Sequence, residues 1–319
     1  MTRTHIPQAV LDAAHARSAA RAAQDWDEAD RLRGTIEAAG WKIVDRGTDF
    51  ALAPAVPPDA VEGDRVRYGS SASVPDRTGE PEAGPATVVL IATDRAAELE
   101  RTLGGLRAWA PAGTGIVIVT DGPTAEMTAV LDGLPAADDL DVVWTDSRLG
   151  PAATANIGIR RARAAVVIQL DAGLEPTGDF VTPLVHALDD PTIAVVGGWG
   201  STSDDVRRFV PAPVGDVDVI DPGCLAFRRA DAVARGPLDE HFRSAGPLAT
   251  WWSLVLRDAG EEAIPRRAVR IAELPLDGEP APTQGDAPPA DPEVGRAIKR
   301  DRYRIIDRFG WRRDLLIGG

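Results

Sequence analysis

Hydrophobic residues in the middle of this chain fall into short runs separated by stretches of helical spacing. Thr87–Ala92, Gly115–Thr120, Asp141–Trp144 and Ala165–Leu170 are apolar and largely β-branched, which predicts strands. Between them, 95–108, 124–133 and 152–163 repeat apolar residues at three- and four-residue intervals, which predicts helices. Strand and helix alternating at this spacing imply right-handed βαβ units and a mostly parallel sheet covered on both faces. The expected fold class is therefore α/β, a Rossmann-like sheet flanked by helices. Ligands of such sheets sit beyond the carboxyl ends of the strands, so the residues to inspect are Asp94, Asp121, the 146–150 turn and Asp171.

The flanks carry different patterns. Residues 8–39 read as two helices or one bent helix, with Trp26, Ala29, Leu32, Ile36 and Ala39 in register and Gly40 as the stop. Trp41 and Ile43, then Phe50 and Leu52, alternate on either side of a turn at 45–48, so 1–55 is expected to be a small helical and β-ribbon module. Residues 56–86 hold Pro57, Pro58, Pro75, Pro81 and Pro85 and read as a linker or wrapping arm. The α/β domain is expected over 87–275 and a second, flexible Pro-rich linker over 276–292. An arginine-rich closing helix follows over 293–319, its apolar face made by Val294, Ile298, Tyr303, Ile305, Ile306 and Phe309.

Composition narrows the function classes. The 319 residues suffice for one large domain with appendages, and 44% hydrophobic residues exclude wholesale disorder. Thirty-five Lys and Arg against 49 Asp and Glu give a formal charge of −14, a field that repels a phosphate backbone and makes nucleic acid an unlikely partner. One cysteine, Cys224, forms no internal disulfide, and with four histidines it makes no zinc-finger set. A reducing, cytoplasmic location is expected. No run approaches the roughly 18 apolar residues of a transmembrane segment, and the N-terminus does not resemble a secretion signal.

The order of the segments is more telling than any one of them. Val-Val-Leu-Ile-Ala-Thr-Asp-Arg at 88–95, Ile-Val-Ile-Val-Thr-Asp-Gly-Pro-Thr at 116–124 and Arg-Leu-Gly-Pro-Ala-Ala-Thr-Ala-Asn-Ile-Gly-Ile at 148–159 follow one another. Then come Val-Ile-Gln-Leu-Asp-Ala-Gly at 167–173, Gly-Cys-Leu-Ala-Phe-Arg-Arg at 223–229 and Leu-Asp-Glu-His-Phe at 238–242. This series resembles the family 2 glycosyltransferases of GT-A fold, over about 87–275. The resemblance implies a sugar transferred, with inversion, from a nucleotide-sugar donor to an acceptor hydroxyl with help from Mg²⁺ or Mn²⁺.

Carried over residue by residue, the resemblance puts Asp171 at the metal-binding Asp-x-Asp motif, with Gly173 at its second acid and Glu175 two residues further on as a substitute ligand. It puts Asp121 at a contact to the nucleoside, Thr93 and Asp94 near the base, Gly150 and Asn156 at the turn and helix facing the nucleotide, and Arg148 as a diphosphate or base partner. Departure of a diphosphate develops negative charge that a divalent cation or a cationic side chain must neutralise. The residues also have plainer readings, because Asp-Gly-Pro and Asp-Ala-Gly are ordinary turn sequences and a lone arginine is often a surface charge. The family's catalytic carboxylate has no counterpart, since 241–257 contains no acid; Asp239 and Glu240 are the substitutes of last resort for the base.

Trp251-Trp252 reads as core packing or as an acceptor platform, Cys224 as a buried small hydrophobe, and His186 as structural. Arg266, Arg267 and Arg270 read as a solvated face or a basic spot for phosphate. Residues 23–33 with 39–45 resemble the C-terminal module of cysteinyl-tRNA synthetases, which implies a docking module or an RNA contact. Two further functions thus stand beside the transferase: an inactive nucleotide-sugar-binding or scaffolding protein, and an RNA-associated protein acting through the N-terminal module.

Overall fold

The computed structural model describes residues 6–46, 49–260, 263–278 and 291–318. The chain divides into two compact units, 1–70 and 71–319.

In the first unit, helix α1 (Gln8–Ala22) and helix α2 (Trp26–Ala38) form a hairpin. Asp25 caps α2 by accepting from the Glu28 N–H at 3.1 Å, and Gly40, at φ +79°, turns the chain out of the helix into strand β1. That strand (Trp41–Arg46) pairs antiparallel with β2 (Asp49–Pro54); the turn at 47–48 lies outside the described residues. Val10, Ala14, Ile36 and Trp41 make a small core, and the Arg17 guanidinium pairs with Asp45 at 2.7 Å. Within the proline-rich stretch, β3 (Ala60–Glu62) and β4 (Arg65–Tyr68) form a hairpin whose two-residue turn places Gly63 at φ +62°.

The second unit begins with a strap. A 3₁₀ turn at Ser71–Ser73 is followed by backbone bonds from Arg77 N–H to the Arg160 carbonyl (2.8 Å) and from Ala83 N–H to the Arg163 carbonyl (3.1 Å), so 77–83 wraps the domain. Then β5 (Ala86–Ala92), α3 (Ala96–Trp109), β6 (Gly115–Thr120), α4 (Ala125–Asp132), β7 (Leu140–Thr145), α5 (Pro151–Arg161) and β8 (Val166–Leu170) alternate as the sequence pattern predicts. These four strands are parallel in the order β8-β5-β6-β7, so the strand order reverses beside β5. Most of their residues are buried, as a sheet covered on both faces requires, with the first half of β7 only partly so.

The chain continues through β9 (Glu175–Pro176), α6 (Val181–Ala187), β10 (Ile193–Gly197), β11 (Gly200–Thr202), β12 (Val210–Pro211), β13 (Gly215–Val217) and β14 (Val219–Ile220). It closes with β15 (Cys224–Arg228), α7 (Arg229–Arg235), α8 (Ala245–Arg257), β16 (Arg267–Arg270), β17 (Leu276–Asp277) and α9 (Pro292–Phe309). Strand β15 adds antiparallel to β8, and β10, β16 and β13 extend that edge. The expected flexible linker 276–292 begins with β17, paired with β9; its residues 279–290 lie outside the described set. Helix α8 is buried from Gly246 to Arg257, with Trp252 1% exposed and edge-on to Phe227 at 5.8 Å. Close helix–sheet approach fixes α5: a Cβ on Gly158 would come 2.3 Å from Val89 Cγ1.

Candidate functional site

A cleft of about 370 Å³ opens beside the reversal in strand order, where such sheets bind ligands. Thr93 and Arg95 reach it from the end of β5, Asp121 from β6, Asp171 from β8, and Pro151 and Ala155 from α5. Leu238, Leu248, Ala249, Trp252 and Pro222 close the other side. The charged lining residues are Arg95, Arg243, Asp121 and Asp171.

Asp121 is 6% exposed. Its Oδ1 accepts from the Leu149 N–H (2.6 Å) and the Gly150 N–H (3.0 Å), so the carboxylate holds the turn that starts α5. Gly150 takes φ +95°, a backbone region glycine adopts without strain, and Pro151 opens the helix. Arg148 Nε stands 3.5 Å from the Asp121 carbonyl and is not among the lining residues. Thr120, preceding Asp121, is fully buried: its Oγ1 accepts from the Thr145 N–H at 2.8 Å, and its carbonyl accepts from the Thr145 hydroxyl at 2.8 Å. Asp94 is exposed, accepts from the Thr93 hydroxyl at 2.9 Å and does not line the cleft.

Asn156 and Glu240 serve a brace. Asn156 Nδ2 donates to the Leu238 carbonyl (3.0 Å) and to Glu240 Oε1 (2.9 Å), and its Oδ1 accepts from the Leu238 N–H (2.8 Å). Glu240 also accepts from the Ser71 hydroxyl. Asp239 accepts from the His241 N–H (2.9 Å), meets the His241 ring at 2.6 Å and lies 3.5 Å from Arg304. Burial pushes the Asp239 pKa up, but the His241 hydrogen bonds and Arg304 outweigh it and hold the carboxyl below its usual range. Neither acid lines the cleft. A carboxylate held below its usual range is also poorly matched to a general base, whose pKa is best near the working pH.

The charge centre of the cleft is a clasp. Arg95 Nη2 donates to Asp171 Oδ1 at 2.7 Å, and Arg95 Nη1 meets Glu98 Oε2 at 2.7 Å. Asp171 Oδ1 also accepts from the Gly173 N–H at 2.8 Å, which closes the strand-ending turn. Glu175 is engaged elsewhere, 3.6 Å from Arg101 on the β9 edge. Asp171 and Glu175 therefore pair with different arginines, and among the described residues no group of three or more Asp, Glu, His or Cys side chains is placed to hold a metal ion. A hard divalent cation in a nucleotide site is held by one or two carboxylates with waters and substrate phosphates, and the carboxylate available here, Asp171, already has its Oδ1 engaged by Arg95 and by the Gly173 N–H.

Sequence reasoning missed Arg95, Arg243 and Gln169 as lining residues; Trp252 was read as core packing or an acceptor platform. The buried Gln169 Nε2 and Trp252 Nε1 have no hydrogen-bond partner among the described residues, although both side chains line the cleft. Trp252 is thus a core residue and part of the wall at once, and Trp251 packs beneath Arg308 at 5.5 Å. Arg266 and Arg267 are neutralised by Asp231, Asp190 and Asp216, and Arg270 donates to the Gly198 and Ala212 carbonyls, so these three belong to ion pairs and backbone anchors.

Residues 87–233 match the family model of Glycosyl transferase family 2. The pre-mycofactocin glycosyltransferases of two strains of Mycobacterium tuberculosis are each 29% identical over 197 residues, covering 55% of this chain and 41% of theirs. The match thus spans about two fifths of the length of these relatives. Among solved structures, that of GalNAc-T7 with UDP, GalNAc and Mn²⁺ superposes with a TM-score of 0.53 at 17% identity, covering 71% of this chain and 48% of that one. A mannosyltransferase from Pyrobaculum calidifontis in complex with GDP-Man and Mn²⁺ gives a TM-score of 0.48 at 16% identity, covering 75% of this chain and 79% of that one. The fold is GT-A, a mostly parallel sheet flanked by helices.

Proposed function

We propose that this chain, whose residues 87–233 match the family model of Glycosyl transferase family 2, binds a nucleotide-sugar donor in the Asp121–Asp171 cleft and passes its sugar to an acceptor hydroxyl. The observation that carries this is convergence: Thr93, Asp121 and Asp171 leave three adjacent parallel strands and line one cleft at the point where strand order reverses.

The residues divide the work. Asp121 gives Oδ1 to the turn and keeps Oδ2 for a donor N–H or O–H of the nucleoside, with Thr93 beside it. The basic side chains Arg95 and Arg243 face the diphosphate. The wall of Leu238, Leu248, Ala249 and Trp252 offers an apolar face to the sugar and acceptor. In direct displacement the acceptor oxygen attacks the anomeric carbon from the face opposite the diphosphate. The bond to the diphosphate oxygen breaks with inversion, the diphosphate leaves with the bonding pair, and the hydroxyl proton is lost to solvent. Neither Asp239 nor Glu240 is assigned the role of base, and no step is assigned to a metal ion.

A second function has its own observation. The only carboxylates among the lining residues, Asp121 and Asp171, are each held by hydrogen bonds of the fold, as are Asp239 and Glu240 outside the cleft. That favours a protein that binds the donor and does not turn it over. Titration calorimetry with UDP-, GDP- and dTDP-sugars tests both readings. Binding of one donor, weakened about tenfold or more in Asp121→Ala, is the result expected when a charge-assisted contact is lost. Release of nucleoside diphosphate from the bound donor identifies a transferase, its absence a binding protein, and failure to bind any donor overturns both.

A further inference from the structure

We propose that Arg95, locked between Asp171 and Glu98, is a built-in cation standing where a divalent metal ion would stand, and that nucleoside diphosphates bind this cleft without metal. The proposal rests on the donor-binding function above and concerns the same cleft.

The observation begins at Gly173. A Cβ built there would lie 2.7 Å from Arg95 Nη1, 3.0 Å from Glu98 Oε2 and 3.2 Å from Asp171 Oδ1. The space that an acid at this position would enter is therefore already filled by a guanidinium and its two carboxylate partners. Any side chain at 173 would displace the clasp, so the glycine and the arginine fit as a pair.

Exposure orients the clasp. The Asp171 side chain is 13% exposed and Arg95 47%, so the carboxylate lies inside and the guanidinium faces the cleft that both residues line. A guanidinium has five N–H donors in a planar fork; one donates to Asp171, Glu98 is met as an ion pair, and the other donors can turn to phosphate oxygens. Being anchored by two carboxylates, the group loses little side-chain freedom on binding, which favours affinity.

Among the lining residues Arg95 and Arg243 balance Asp121 and Asp171, and Glu98, paired with Arg95, adds one negative charge. Arg243 is positioned by its own contact, Nη1 to the Leu149 carbonyl at 3.3 Å.

The test is calorimetric binding of UDP and GDP to the full chain, once with EDTA and once with Mn²⁺, alongside the nucleosides uridine and guanosine. The expected result is the same affinity for the bound diphosphate, within about twofold, with and without Mn²⁺. Arg95→Ala and the more conservative Arg95→Gln should each lower diphosphate affinity about 10- to 100-fold while leaving nucleoside affinity unchanged, as loss of a charge-assisted phosphate contact predicts. Combining Arg95→Ala with Gly173→Asp rebuilds an acid pair and should make binding rise with Mn²⁺. Diphosphate binding that appears only with Mn²⁺, or that survives Arg95→Gln at full strength, overturns the built-in cation and leaves the donor-binding function standing. No binding of either diphosphate under any condition overturns both.

Discussion

Asp171 shows how a carboxylate can be found from sequence while its neighbours are not. Its place at the end of an apolar run was legible, as were those of Asp94 and Asp121, because a parallel sheet delivers ligand contacts to strand ends. What that acid touches was not legible: Arg95 lies 76 positions earlier, and no spacing in the chain links the two. The same holds for Asn156 and Glu240, which meet across 84 positions and form a brace. Cys224 was legible as a buried small residue, and its burial raises the thiol pKa to about 12. A thiolate is the reactive form, so the native protein at pH 8 should not react with a disulfide reagent, and one thiol per chain should titrate after unfolding. Prompt reaction of the folded protein would contradict this burial.

Among the elements, the long periodic ones were legible and the short ones were not. The four parallel strands and the helices between them follow from runs of apolar residues, each boundary lying within one or two residues of the pattern. Strands β9, β11, β12, β14 and β17 span two or three residues, too few for a period of two to show, and exist because their neighbours pair with them. Glycines within helices separate the two roles of that residue. Gly158→Ala would drive a methyl into Val89 and should cost about 1 to 3 kcal/mol, the usual penalty for overfilling a packed core. Gly104 in α3 is exposed with nothing within 4 Å, and Gly104→Ala should instead stabilise by about 0.5 to 1 kcal/mol through helix propensity. Urea denaturation of both variants checks the pair, and equal effects of the same sign would refute the close packing of α5 on β5.

At the scale of the molecule, the excess of acids sets the response to pH. Asp314 is held below its ordinary pKa chiefly by the Arg312 hydrogen bond, and Asp45 likewise by Arg17. Such groups add stability above the unfolded carboxylate pKa, about 4, and that stability is lost as the pH falls through their lowered folded values. Asp218 and Asp301 act in the opposite direction, because burial raises their pKa; their folded forms hold a proton more tightly, and their contribution declines as the pH rises from about 4 through the raised values. Arg312 ties the Arg313–Leu315 turn to Asp258 at the end of α8 (2.9 Å) and pairs with Asp314 (2.8 Å). Arg312→Gln should cost about 2 kcal/mol at pH 7, as loss of hydrogen bonds to a charged group does, and should flatten the acid limb of a stability–pH curve because Asp314 returns toward its ordinary value. An acid limb as steep as that of the original chain would show that Asp314 is not held by Arg312. No helix among the described residues is long and apolar enough to cross a membrane.

The pairing of Gly173 with Arg95 also bears on supply. A metal ion is recruited from solution, and the fraction of chains that hold one rises and falls with its free concentration. A guanidinium encoded in the chain is present once per molecule at an effective concentration set by covalent bonds, so in such a cleft readiness to receive a diphosphate is inherited with the sequence and is indifferent to chelators.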